Sequence, residues 1–138
     1  MEGPAPWRTV ESAAAGSPAA RGGAAGAREA HLHRVCQTIE TLLADPGLSL
    51  GKVAREEGVS PRYLQKLFAS AGQSFTHYIR LRRLERCRLD LTSPRCASLS
   101  ISEISFRWGF NGSAHFSRAF RDQYGLSPRE HRRLGAPG

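Results

Sequence analysis

Two short stretches of this 138-residue chain place hydrogen-bonding side chains on one side of a helical period and apolar ones on the other. In the first, Leu64, Leu67 and Phe68 share an inner face, leaving Arg62, Gln65 and Lys66 outward. In the second, Phe116, Ala119 and Phe120 face inward, leaving Ser113, Ala114, His115, Ser117, Arg118 and Arg121 outward. The outward groups suit recognition rather than bond-making. A guanidinium is a planar two-pronged donor that matches guanine or phosphate, and a glutamine amide pairs in the same way with adenine. Early on a helix lying in a major groove, such side chains reach base edges. Arg118 is the expected base reader of the second stretch. Ser113 and Ser117 are short and suit phosphate, as do Arg121 and the helix N-terminus itself.

The elements that must carry these residues are written twice. Val53-Ala54-x-x-x-Gly58-Val59 recurs as Ile104-Ser105-x-x-x-Gly109-Phe110, 51 residues on. Tyr63-Leu64-x-x-Leu67-Phe68 recurs as His115-Phe116-x-x-Ala119-Phe120 at an offset of 52. Gly72-x-Ser74-Phe75-x-x-Tyr78-x-Arg80 recurs as Gly125-x-Ser127-Pro128-x-x-His131-x-Arg133 at 53. The order holds while the offset drifts by single residues, as when helices match and turns differ.

Each copy has the residue chemistry of a helix-turn-helix. The first helix must stop abruptly, which needs a residue free to take positive φ, and Gly58 and Gly109 stand at the break. Ala54 and Ser105 are the small residues four positions earlier that let the helices approach. Val53, Val59, Leu64 and Leu67 seal the first joint; Ile104, Trp108, Phe110, Phe116 and Phe120 seal the second. Ser60 is placed to cap the next helix, with Pro61 in its first turn. The second turn is one residue longer, through Asn111-Gly112, and Ser113 is its expected cap. The aromatic residues around both turns, Tyr63, Phe68, Trp108, Phe110, Phe116 and Phe120, read as core rather than as base-stacking platforms.

Charge follows the repeat. The formal charge is +8, and 18 of the 20 basic residues are Arg. Residues 46–134 contain 16 basic and 7 acidic residues, a net of +9, whereas residues 1–45 carry a net of −1. A helical interaction module that no longer binds DNA is the rival reading, and it has no reason to keep such a charge over its repeat. An enzyme is disfavoured: there is no carboxylate pair, no nucleophile–base set and no phosphate-binding glycine loop. Cys36, Cys87 and Cys96 make neither a disulfide framework nor a zinc set. On a helix, His31 and His33 point about 200° apart and would not chelate. No metal or cofactor is therefore expected. No apolar run approaches the ~20 residues that span a bilayer, so no membrane partner is expected. Without a Leu-rich secretory core, the expected location is the cytosol.

Residues 1–28 are Ala, Gly, Pro and Ser with scattered charge, and read as a disordered tail or linker remnant. A first helix is expected from about Glu29 to Ala44, with Leu32, Val35, Cys36, Ile39, Leu42 and Leu43 on one face. Helices then follow over Leu50–Glu57 and Pro61–Ala71. Ser74 caps a long one to about Leu91, with Tyr78, Leu81, Leu84, Cys87 and Leu91 inside and Arg82 outside. Beyond a loop come Ile101–Trp108, Ser113–Tyr124 and a short helix closing at about Leu134. The expected fold is all-α, with about seven helices and no strand.

Leu48-Ser49-Leu50-x-x-Val53-Ala54, Tyr63-Leu64-x-Lys66-Leu67-Phe68, Arg83-Leu84-x-x-Cys87 and Gly109-Phe110-x-x-x-x-His115-Phe116-Ser117-Arg118-Ala119-Phe120, through Gly125-x-Ser127-Pro128, carry a resemblance. Over about residues 31–134 the chain resembles the AraC/XylS-type DNA-binding domain. The resemblance implies two helix-turn-helix subdomains, about 29–73 and 99–134, joined by a connecting helix over 74–91 within one domain, 29–134. It implies entry into successive major grooves of double-stranded DNA, usually to activate transcription in the bacterial cytoplasm at the nucleoid, with RNA polymerase as a further partner. Arg62, Gln65 and Lys66 match its base- and backbone-contacting positions. The chain departs from the family pattern at Cys87, where Ala is commoner, and in its long Pro94–Ser100 loop. Many relatives add a sensing domain, and none is visible here. The chain is then either a stand-alone regulator or the DNA-binding part of a longer one.

Overall fold

The computed structural model describes residues 23–135, so the tail expected over residues 1–28 lies outside the described residues as far as residue 22. Among the described residues seven α-helices follow in order: α1 Gly23–Leu42, α2 Leu50–Glu57, α3 Pro61–Ala69, α4 Phe75–Leu91, α5 Ile101–Arg107, α6 Ser113–Tyr124 and α7 Pro128–Gly135. A single 3-10 turn, Pro94–Cys96, sits between α4 and α5. Among the described residues there is no strand, and the architecture is all-α as the periodicity requires. α1 begins at Gly23, ahead of the expected Glu29. Residues 24–27 are Ala-Ala-Gly-Ala; alanine favours helix strongly but draws no apolar stripe, so a periodicity search passes over it.

The described residues fall into two compact units, residues 23–42 with 47–80 and residues 43–46 with 81–135, divided inside α4. The first unit is a three-helix platform closed by the start of α4. Leu32, Val35, Cys36 and Ile39 of α1 are buried, as are Val53 and Ala54 of α2 and Leu64, Leu67 and Phe68 of α3. Tyr78 and Ile79 of α4 complete that core, and Phe68 meets Phe75 edge-on and Tyr78 at a tilt. Ser49 caps α2 by accepting from the Lys52 N–H at 3.1 Å. Gly58 stops α2 at φ 70°, a left-handed conformation that a side chain would resist. The Val59 N–H then returns to the Ala54 carbonyl at 3.0 Å, which satisfies a helix-end acceptor. Ser60 caps α3 through the Tyr63 N–H at 3.1 Å, with Pro61 in the first turn.

The second unit is built around an aromatic column. Phe110 and Phe116 lie 5.1 Å apart by ring centroid, Phe116 and Phe120 5.7 Å, and Phe120 and Tyr124 4.7 Å. Leu84, Cys87 and Leu91 of α4 pack on that column with Cys96, Ile104 and Ala119. Paired side-chain and backbone bonds cap two of its helices, Ser100 with Glu103 on α5 and Ser127 with Glu130 on α7. The expected cap of α6 is corrected. Gly112 holds the extended capping conformation, at φ −149° and ψ 137°, with no side-chain bond, and Ser113 is already the first helical residue. The longer turn carries the chain one residue further before the helix begins.

Arg82 also differs from expectation. It is buried, at 8% exposure, rather than on the outer face of α4. Tyr78, Ile79, Arg82, Leu84, Cys87 and Leu91 are all buried, so α4 is covered over a wider arc than its apolar stripe indicates. An arginine stem tolerates this because its methylenes are apolar.

Candidate nucleic-acid interface

On α3, Arg62, Gln65 and Lys66 are exposed, and Leu64, Leu67 and Phe68 are buried beneath them. The two faces arise from one 3.6-residue period, so burying the apolar one presents the polar one. On α6, Ser113, His115, Arg118 and Arg121 are exposed and Ser117 is half-buried, over buried Phe116, Ala119 and Phe120. Each unit therefore gathers its expected outward residues on the second helix of its own helix-turn-helix.

The structure adds detail that side-chain type alone does not give. The His115 ring lies 6.5 Å from Phe110, against the turn that introduces α6. Arg121 Nη1 sits 3.9 Å from Glu130 Oε1 on α7, with Arg121 exposed and Glu130 half-buried. Hydrogen bonds from the Ser127 backbone and hydroxyl hold the Glu130 carboxyl below the usual carboxylate range. An exposed pair of this kind contributes little stability.

Several arginines counted as surface charge are structural. Arg132 donates to three carbonyls at once: Leu91 at 3.2 Å, Leu99 at 2.7 Å and Cys96 at 2.8 Å. The 94–100 segment, which reads as an open loop, is pinned from α7 by this one guanidinium. Arg83 donates to the Leu43 carbonyl at 3.0 Å and the Asp45 carbonyl at 2.9 Å. Desolvation lowers its pKa, and the nearby Asp45 carboxylate opposes that. Arg88 holds Glu85 through both carboxylate oxygens, at 2.9 and 2.6 Å, while the Tyr124 hydroxyl donates to Glu85 at 3.0 Å. Burial works against the Glu85 charge, yet the bonds from Arg88 and Tyr124 outweigh it and hold the carboxyl below its ordinary range.

The second turn has its own polar lock. The Trp108 indole N–H donates to Asp90 Oδ2 at 2.8 Å, and Arg107 reaches the same oxygen at 3.2 Å. Trp108 is thus an anchored, half-buried ring rather than simple core. The Arg88–Glu85 pair is local, three residues apart on α4; the other locks are not visible in the repeat, because their partners lie at separations that no short pattern spans. Burial pushes the Cys87 thiol pKa upward, which makes it an inert packing group. Among the described residues no cluster of His, Cys, Asp or Glu could hold a metal, and no helix is long and apolar enough to cross a membrane.

Comparison with known proteins agrees with this geometry. The helix-turn-helix domain family matches residues 53–134. The transcriptional activator RhrA of Rhizobium meliloti is 38% identical over 98 residues, covering 71% of this chain and 31% of that protein. A transcriptional regulator from Chromobacterium violaceum, described as containing an AraC-type DNA-binding domain, has a solved structure at TM-score 0.72. It is 32% identical and covers 82% of this chain and 99% of that one. The C-terminal domain of AraT, a response regulator from Geobacillus stearothermophilus, superposes at TM-score 0.66 with 32% identity, covering 78% of this chain and 88% of that domain. This chain spans about a third or less of the length of most of the curated relatives it matches.

Proposed function

Because the chain belongs to the AraC-type helix-turn-helix family, we propose that it is a sequence-specific DNA-binding regulator of transcription, acting as an activator. Its two recognition helices, α3 and α6, take one major groove each. The observation that carries this reading is the duplication of one arrangement. Both units present a short helix whose apolar side is buried and whose opposite side holds exposed arginine beside exposed hydrogen-bonding groups. Arg62, Gln65 and Arg118 are the proposed base readers. Lys66, Ser113, His115, Ser117 and Arg121 are the proposed backbone contacts that set register. The relative named as an activator supports that direction of control, with RNA polymerase as the further partner and the bacterial cytoplasm as the location.

Selection of bound duplexes from a random pool tests the proposal directly. The expected result is a site with two separate blocks of base preference. Arg62→Ala should relax preference within one block and Arg118→Ala within the other, each at the base pair it reads. Recovery of unenriched sequence, with binding governed by salt alone, would reduce the protein to a nonspecific binder.

A further inference from the structure

α3 has nine residues, too few to hold its own direction without help from its surroundings. Arg62 and Gln65 reach DNA at fixed angles only if the first turn of α3 is fixed. Leu64, Leu67 and Phe68 anchor its inner side, but the N-terminal end meets a polar contact instead. The His31 ring of α1 stacks on Tyr63, with centroids 5.5 Å apart and planes at 28°, and its Nδ1 lies 3.1 Å from the Tyr63 hydroxyl. The other ring nitrogen, Nε2, lies 3.5 Å from Glu57 Oε1 at the end of α2. Glu57 is held in turn from α1, where the Thr38 hydroxyl donates to Oε2 at 2.6 Å. One imidazole therefore grips the last residue of α2 and the third residue of α3, on either side of the turn formed by Gly58, Val59 and Ser60.

We propose that His31 is a positioning residue for base recognition: it clasps the two helices of the first helix-turn-helix across their turn and so sets the direction of Arg62 and Gln65. The proposal rests on the DNA-reading function above. Nδ1 is within hydrogen-bond distance of the Tyr63 hydroxyl, Nε2 faces the Glu57 carboxylate at 3.5 Å, and the stack holds the ring in its plane, so the clasp fixes orientation as well as distance. Neither partner is an outward residue of α3, and loss of the clasp leaves every proposed base contact chemically present but less well aimed.

The test uses the full chain, the duplex that the wild-type protein selects from a random pool, and a random duplex of equal length. His31→Ala should weaken binding to the selected duplex roughly tenfold, the size of one lost base contact, and binding to the random duplex by less than about twofold. A repeated selection should show base preference relaxed only in the block that Arg62→Ala also relaxes. Tyr63→Phe keeps the stack but loses the hydroxyl, and should shift preference in the same block by a smaller amount. His31→Gln, which retains a donor and an acceptor, should recover part of the preference. Equal losses on the two duplexes, or flattening of both blocks, would make His31 a stability residue and overturn the proposal. Where His31→Ala does not fold, an unchanged preference in Tyr63→Phe overturns it equally. If the wild-type chain itself recovers only unenriched sequence, the DNA-reading function fails and takes the clasp with it; enriched sequence that Arg62→Ala leaves unaltered overturns the clasp alone.

Discussion

Gly58 and Gly109 occupy the same place in the two copies of the repeat, yet replacing them with alanine should have unequal effects. Both residues have positive φ, 70° at Gly58 and 91° at Gly109. A left-handed conformation costs an alanine about 1–2 kcal/mol relative to glycine, and that cost applies at both sites. Around Gly58 a new Cβ would meet nothing within 4 Å. At Gly109 it would lie 2.9 Å from Arg83 Cζ and Nη1. A flexible arginine would normally swing away, but this guanidinium is held by the Leu43 and Asp45 carbonyls. Displacing it weakens two hydrogen bonds to a charged group, each contributing about 1.5–3 kcal/mol when fully formed. Arg83 is only half-buried and water recovers part of that loss, so about 1–2 kcal/mol of extra cost is reasonable. The expected destabilisation is about 1–2 kcal/mol for Gly58→Ala and about 2–4 kcal/mol for Gly109→Ala. Urea unfolding followed by far-ultraviolet circular dichroism measures both. Trp108 fluorescence, in a Trp7→Phe background, reports the second unit alone. An Arg83→Ala background should remove the excess at Gly109 and leave the Gly58 value unchanged. Equal costs at the two glycines, or an excess that survives Arg83→Ala, would refute the contact.

Arg118→Ala should weaken binding to the selected duplex by about 1–3 kcal/mol and relax preference at one base pair, as measured by fluorescence anisotropy on single-substitution duplexes. Exposed Arg95 is the matched control, expected to have little effect. Arg132→Ala should destabilise the second unit by about 2–4 kcal/mol, because three carbonyls lose one shared donor, and faster amide exchange across residues 93–100 would confirm the site of the loss. Arg132→Lys should rescue little of that, since an ammonium cannot reproduce the fork. Burial lowers the His131 pKa from its ordinary 6.5, so the unfolded chain takes up a proton that the folded chain resists. Stability should therefore fall as pH drops below about 6.5 and level off below the folded-state pKa, and His131→Phe should flatten this slope in urea titrations across pH.

How much was legible in the sequence depended on how local each signal was. The two turns were readable because Gly58 and Gly109 answer a backbone requirement that only the nearest residues set. The outward faces of α3 and α6 were readable because one period fixes both faces together. The cap of α6 was not, since choosing between Gly112 and Ser113 depends on where the longer turn delivers the chain. The early start of α1 was hidden because alanine forms helix without showing a face. Arg82 misled because a period reports the widest apolar stripe and says nothing of what else covers the helix. The His31 clasp had no local trace at all. Its partners Glu57 and Tyr63 lie 26 and 32 residues away, and histidine beside a helical period looks like any exposed polar residue.

The arginine count shows the same limit from another direction. A net of +9 over residues 46–134 points toward an anionic partner, but the total mixes two populations. Arg83, Arg88 and Arg132 direct their donors at carbonyls or carboxylates within the second unit. Arg62 and Arg118 stand exposed on helices whose other faces are buried. The first population does not leave the long-range field, because a guanidinium bonded to carbonyls keeps its charge and still contributes to steering. It does leave the contact set, because donors already engaged cannot also fork onto a base. Arginine serves both purposes for one reason: its five donors lie in a plane, so a single side chain can bridge several carbonyls in a fold or two acceptors on a guanine. Composition reports how many such forks a chain carries. Only packing decides which of them remain open.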